Sequence, residues 1–259
     1  MSRKHGGSFK QHRCFMTSEL LKVIGLAILP ALGNFSGGML AEWLHPSQKT
    51  LNRALHAATG IILAVVAVEV MPEALRNTPA WVLALAFMAG GGAYLFVEAG
   101  IDRWQRKQQQ GVGTGAWMVY AAVATDLLGD GLLIGTGSAV SSQLAITLAL
   151  GQVLADVPEG FAVVANFREK GIKRPGRLWI SASFALPVVG GAIVAYFVLR
   201  DQAESVKMAG LVFVAGLYFL AAVEDMLQEA HESAEDSRWS AVSLLGGFAL
   251  FLVVSQSFG

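Results

Sequence analysis

Charge is what this sequence has least of. Of its 259 residues 15% are charged and 54% are hydrophobic, whereas a soluble domain carries about 25% charged residues. The mean hydropathy is +0.53, so water is not its only solvent. Cysteine is nearly absent: the single Cys14 excludes an internal disulfide and a cysteine-built metal centre. An excess of one sign of charge is missing too, because 19 Lys and Arg balance 19 Asp and Glu. That removes any global attraction for nucleic acid. No polar stretch is long enough to fold as the soluble domain that an ATPase, kinase or cyclase needs. No metal-histidine motif or nucleophile with a base suggests a hydrolase. The chain is expected not to be an enzyme.

What it does contain is apolar runs of bilayer length. A spanning helix needs roughly 20 predominantly apolar residues, and such runs lie at 20–42, 54–74, 79–100, 116–138, 143–167, 178–199, 206–227 and 239–257. The expected fold is an all-α polytopic membrane protein of eight transmembrane helices. Residues 1–19 read as a polar N-terminal tail with Arg3, Lys4, His5, Lys10, His12 and Arg13, and residues 20–259 as one transmembrane domain. The connections include HPSQKT at 45–50, RNTP at 76–79 and REKGIKRPGR at 168–177. The link around Ser138 to Ser142 carries no charge; fusing the spans across it would leave seven.

Lys and Arg of short loops accumulate on the cytoplasmic side. Loops one, three, five and seven hold Lys49, Arg53, Arg103, Arg106, Lys107, Arg168, Lys170, Lys173, Arg174, Arg177 and Arg238. The even loops hold Arg76, Arg200 and Lys207. The bias places the odd loops in the cytoplasm and both termini outside a cell (inner) membrane, although the basic tail opposes it. Small-residue faces among the Gly-rich spans suit close helix packing and a homodimer.

Against this apolar background, acids inside spans stand out, since a charge at the centre of a bilayer costs roughly 2.5–3.5 kcal/mol on insertion scales. Span four holds Asp126 and Asp130, one turn apart on one helical face. Span five holds Asp156 and Glu159 around Pro158, whose ring leaves the Leu154 carbonyl without its usual partner. No Lys, Arg or His lies within either run to neutralise them. If the two acidic faces meet, the four carboxylates form a cation site, and their hard oxygens suit Mg, Mn or Ca and accept Zn or Fe. Thr125, Thr136, Gln143, Thr147, Gln152 and Asn166 are candidates to complete a polar path.

Further acids lie near span ends. Span two finishes in AVEVMPEAL with Glu69 and Glu73, and span seven in AVEDMLQEAHE with Glu224, Asp225 and Glu229. Glu69, Glu73, Asp225 and Glu229 are candidate relays at the entrance or exit. The shared AVE and EA elements suggest an inverted repeat of spans 1–3 and 6–8 around spans 4 and 5, as transporters often use.

The segment DVPEGFAVVANF at 156–167 resembles the span-five signature H-N-x-P-E-G of the ZIP family of divalent metal transporters, and DLLGDG at 126–131 its span-four signature H-N-x-x-D/E-G. VEVMPEAL at 68–75, FALPVVGGAIVA at 184–195 and AGLYFLAAVEDMLQEAH at 215–231 are similar to that family's span-two, span-six and span-seven elements. The resemblance, to a divergent prokaryotic-type member, implies ATP-independent uptake of a divalent metal such as Zn, Fe or Mn as transported substrate, with a four-helix block moving against a scaffold. The family's first-site ligands fall on Asp126, Asp130, Ala155 and Glu159, and its second-site ligands on Leu127, Asp130, Asp156 and Leu186. It therefore implies one site built mainly from Asp126, Asp130 and Glu159, with Asp156 beside it.

The expected function is transport of a divalent transition-metal cation through this carboxylate site, with membrane lipid as surroundings and protons as an aid to release. Two alternatives stay open: a proton-coupled carrier for another small cation, and a ZIP-fold membrane protein that does not transport.

Overall fold

In hydrocarbon every backbone N–H and C=O must be satisfied within its own segment, so apolar runs of this length become helices. The computed structural model describes residues 6–44, 47–76, 78–108, 114–226 and 238–258, and among them there are helices and turns but no strand. The elements are α1 (Gly6–Leu44), α2 (Gln48–Leu75), α3 (Ala80–Gln108), α4 (Thr114–Val140), α5 (Ser142–Glu169), α6 (Arg174–Leu199), α7 (Glu204–Ala221) and α8 (Arg238–Phe258). All eight are long and apolar enough to cross a membrane.

Local chemistry moves several edges away from the hydropathy limits. α1 is helical from Gly6, inside the stretch read as a tail, and continues through Pro30. Gln48, Lys49 and Thr50 read as loop but form the first turn of α2, where Ser47 is extended and its side chain accepts from the Thr50 N–H. The uncharged link after α4 is a single residue, Ser141, extended and accepting from the Leu144 N–H, so spans four and five are separate. Much of REKGIKRPGR is helical as well: α5 runs through Glu169, and α6 opens at Arg174 with Pro175 in its first turn. Gly171 turns the chain between them at φ 76°.

Proline shapes two helices. α6 is interrupted at Phe184, between Arg174–Ser183 and Ala185–Leu199, where Pro187 cannot donate to the Ser183 carbonyl. In α2 the turn before Pro72 widens into a π-helical stretch, Val65–Val70. A second π-helical stretch, Ala222–Met226, continues α7. Each carries a glutamate, Glu69 and Glu224.

The helices pack as four couples, α1 with α5, α2 with α8, α3 with α7 and α4 with α6. Each couple closes through a reciprocal pair of glycines. Gly37 lies on the Val157 carbonyl and Gly160 on that of Asn34; Gly60 lies on Leu244 and Gly247 on Ala57. Gly90 meets Phe213 and Gly216 meets Phe87, while Gly131 meets Val188 and Gly191 meets Leu128. A Cβ at any of these would run into the partner's main chain, so the helices approach as only glycine allows.

Couples α1/α5 and α4/α6 share one apolar core, with Ala27, Leu127, Phe167, Phe184 and Val188 fully buried. A second core joins α2, α7 and α8 to the halves of α4 and α5 nearest the Ser141 turn through Ile62, Leu133, Leu148, Leu211 and Phe251. α5 is central, 67% of its apolar window being buried, whereas α3 and α8 are peripheral at 17% and 22%. Their exposed faces carry Met88, Phe96, Leu245 and Val253, the surface lipid would cover. Trp43, Trp81, Trp117, Trp179 and Trp239 are exposed near helix ends, as interfacial aromatic belts are.

At the end where α5 finishes and α6 begins, Arg177 is buried rather than solvated as a loop cation. Its Nε and Nη2 donate to the two Glu42 oxygens of α1, and its Nη1 to the Ile172 carbonyl. Arg168 donates to the Ala41 carbonyl at 3.0 Å, and Gln48 to Glu169 at 2.7 Å.

Candidate functional site

α4 and α5 run side by side from the Ser141 turn, and their acids fall between the two apolar cores. Asp130 stands between Leu127 of one core and Leu133 of the other. Asp130 and Asp156 are fully buried and Glu159 is 5% exposed, while Asp126 is half-buried. The four sequence-selected acids thus lie near one another: Asp156 is within electrostatic reach of Asp130, Glu159 and Asp126, and Asp130 of Asp126.

Their hydrogen bonding is incomplete. Asp130 Oδ1 accepts from Gln152 Nε2 at 2.6 Å, and its Oδ2 has no hydrogen-bond donor. Both oxygens of Asp156 are buried without a donor. Carboxylates only accept, so neighbouring acids cannot satisfy one another without a shared proton or a cation. Among the described residues no three His, Cys, Asp or Glu side chains converge closely enough to hold a metal ion as they stand. Ala155 is fully buried, and Leu127 packs in the α1/α4/α5/α6 core. Leu186 is 75% exposed and faces away.

Of the polar path candidates, Gln152 joins the acids directly. Thr125 and Thr147 donate to carbonyls of their own helices, at 2.9 and 3.3 Å. The fully buried Thr136 hydroxyl has no hydrogen-bond partner. The candidate relays stand elsewhere: Ser255 of α8 donates to Glu69, and Glu73 pairs with Arg76 at 2.9 Å. Of Asp225 only the backbone, in the second π-helical stretch, is described, and Glu229 lies outside the described residues.

Two residues went unnoticed in the sequence. Tyr218 of α7, buried to 1%, donates its hydroxyl to Gln152 Oε1 at 3.1 Å. Asn34 of α1 is buried to 1%, and neither polar atom of its amide has a hydrogen-bond partner. Its neighbour Gly33 lies against the Asp156 Cβ and the Val153 main chain, so α1 covers the acids from a third side. An isolated Asn in an apolar span was the available signal for Asn34; an ordinary Tyr among aromatics carried none.

A cavity of about 280 Å³ opens between α1, α4 and α5 near the Ser141 turn, walled by Leu26, Ser138, Ser142 and Ala145 with the Glu19–Lys22 pair at its edge. No protein-family profile matches the chain, and no curated protein sequence matches it.

Proposed function

We propose that this protein moves a divalent metal cation of the Zn, Fe or Mn class across a membrane, using Asp126, Asp130, Asp156 and Glu159 between α4 and α5. The observation that carries the reading is Asp156, whose two oxygens are buried without a donor among other carboxylates. Burying such a group unpaired is costly, and a dication is the natural partner for clustered oxygen ligands. The cavity beside the Ser141 turn suits access from the face that the loop charges place outside.

The couples also support an inverted repeat. Exchanging α1–α3 with α6–α8, and α4 with α5, carries α1/α5 onto α6/α4 and α2/α8 onto α7/α3. The crossing glycines match in chain order, Gly37 with Gly191, Gly60 with Gly216 and Gly90 with Gly247, and the two π-helical stretches match as well. Such repeats place binding sites at their interface near the bilayer midplane, and the ZIP-like motifs at 126–131 and 156–167 lie on α4 and α5, the two helices such a repeat would exchange.

Purified protein in sealed liposomes, challenged with Zn, Mn, Fe and Cd at two pH values beside an Asp130→Asn/Glu159→Gln control, tests the reading. Metal accumulation in the native protein and its loss in the control are expected; no accumulation of any metal would sink it. A second reading, a proton-coupled carrier for another small cation, is favoured by the lack of three converging metal ligands among the described residues. It predicts uptake of an organic cation that added metal does not inhibit.

A further inference from the structure

Two hydrogen bonds in series join the central acids to α7. Asp130 on α4 accepts from Gln152 Nε2 on α5 at 2.6 Å, and Gln152 Oε1 accepts from the Tyr218 hydroxyl on α7 at 3.1 Å. All three side chains are buried to 1% exposure or less. The amide turns an N–H toward Asp130 and leaves its oxygen for the tyrosine O–H, the arrangement that a carboxylate able to hold a cation requires, since in its ionised form it can only accept. Gln152 is therefore held at both ends. The Tyr218 hydroxyl also neighbours Asp130 itself.

A cation that approaches Oδ1 of Asp130 along the direction the amide N–H now occupies displaces this amide. The amide is planar, so swinging its nitrogen away also moves the oxygen that Tyr218 holds. Tyr218 belongs to the couple α3/α7, whereas Gln152 and Asp130 belong to α1/α5 and α4/α6. We propose that Gln152 is a place-holder for the cation at Asp130, and that Tyr218 is the positioning residue that holds it there and relays its displacement to α7. The inference rests on the cation-site reading above. Removing the tyrosine hydroxyl weakens the place-holder, so a cation meets less competition, but its arrival no longer alters the α5–α7 contact.

The test is Mn²⁺ binding by calorimetry, tyrosine difference absorbance and Mn²⁺ uptake into liposomes, for the native protein and for Tyr218→Phe, Gln152→Leu and Asp130→Asn. Native protein should bind Mn²⁺ with a tyrosine signal, and Asp130→Asn should lose both. Tyr218→Phe should bind about fivefold more tightly, the equilibrium effect of one net hydrogen bond, lose the signal and transport more slowly at saturation. Gln152→Leu should likewise bind more tightly without the signal. Unchanged or weaker binding in both variants, with native protein and Asp130→Asn behaving as stated, overturns the place-holder and leaves the cation site standing. A Tyr218→Phe protein that only melts earlier, with affinity and tyrosine signal intact, overturns it as well. No Mn²⁺ binding by native protein overturns both readings.

Discussion

Arg177 of α6 holds Glu42 of α1 through two parallel hydrogen bonds, Nε to Oε1 and Nη2 to Oε2, the second at 2.7 Å, with both side chains less than a tenth exposed. Arg174 adds a weaker contact to Glu42 at 3.9 Å. A fork-to-fork pair of this kind fixes direction as well as distance, and here it ties the helices flanking α5.

Arg177→Ala leaves Glu42 buried beside only the distant Arg174. It should lower unfolding stability by about 3 kcal/mol, the size of a broken buried pair. Glu42→Leu with Arg177→Met, which removes both charges, should cost much less. Thermal or denaturant unfolding in detergent checks both, and equal losses in the two proteins would show that the pair itself is not what stabilises this end.

The glycine crossings make a sharper contrast within a single helix. Gly90→Ala drives a methyl into the Phe213 carbonyl, whereas Gly92→Ala meets nothing within 4 Å. The first should destabilise by about 1–3 kcal/mol through forced separation. The second should be neutral or stabilising by up to about 1 kcal/mol, since alanine is the better helix former. Melting of the two variants side by side distinguishes a true crossing from general sensitivity of α3.

Asp156 should show function and stability pulling apart. Asp156→Asn replaces a buried carboxyl that has no donor and lies among other acids with a neutral amide that can donate to them, so the protein should gain about 1–2 kcal/mol in stability. Metal uptake should fall at least about tenfold, since even residues that only support ligands cost that much. Joint loss of stability and uptake would mark Asp156 as a structural group.

On the proposed cation-site reading, selectivity should turn on Asp126, which stands where the ZIP-like motif has histidine. An imidazole is a softer ligand than a carboxylate and suits Zn better. Asp126→His should raise Zn uptake relative to Mn severalfold in competition assays with mixed metals. An unchanged ratio would remove Asp126 from the selecting ligands.

How much of this was legible in the sequence depends on the range of the interaction. The number and order of the spans could be read from hydropathy, because burial in lipid is a property of each run by itself. Their edges were less legible: Gln48 to Thr50 are polar and read as loop, yet Ser47 draws them into helix by satisfying the Thr50 N–H. The acids of α4 and α5 stood out on solvation cost alone. Arg177 read as one more loop cation, because its partner Glu42 lies 135 residues away. The chain from Tyr218 through Gln152 to Asp130 was hidden for a related reason. It depends on how three helices are rotated about their axes, which no periodicity along one of them records.

The glycine crossings carry a mechanical meaning. Two helices that touch main chain to main chain have no compressible layer of side chains between them, so each couple behaves as a stiff beam. Compliance is left to the seams between beams, where α2 meets α5 and α4 meets α7 through larger side chains. Asp130 on α4 and Tyr218 on α7 face each other across the second of those seams, bridged by Gln152 of α5, so a displacement of α7 against α4 would be felt at the buried acids.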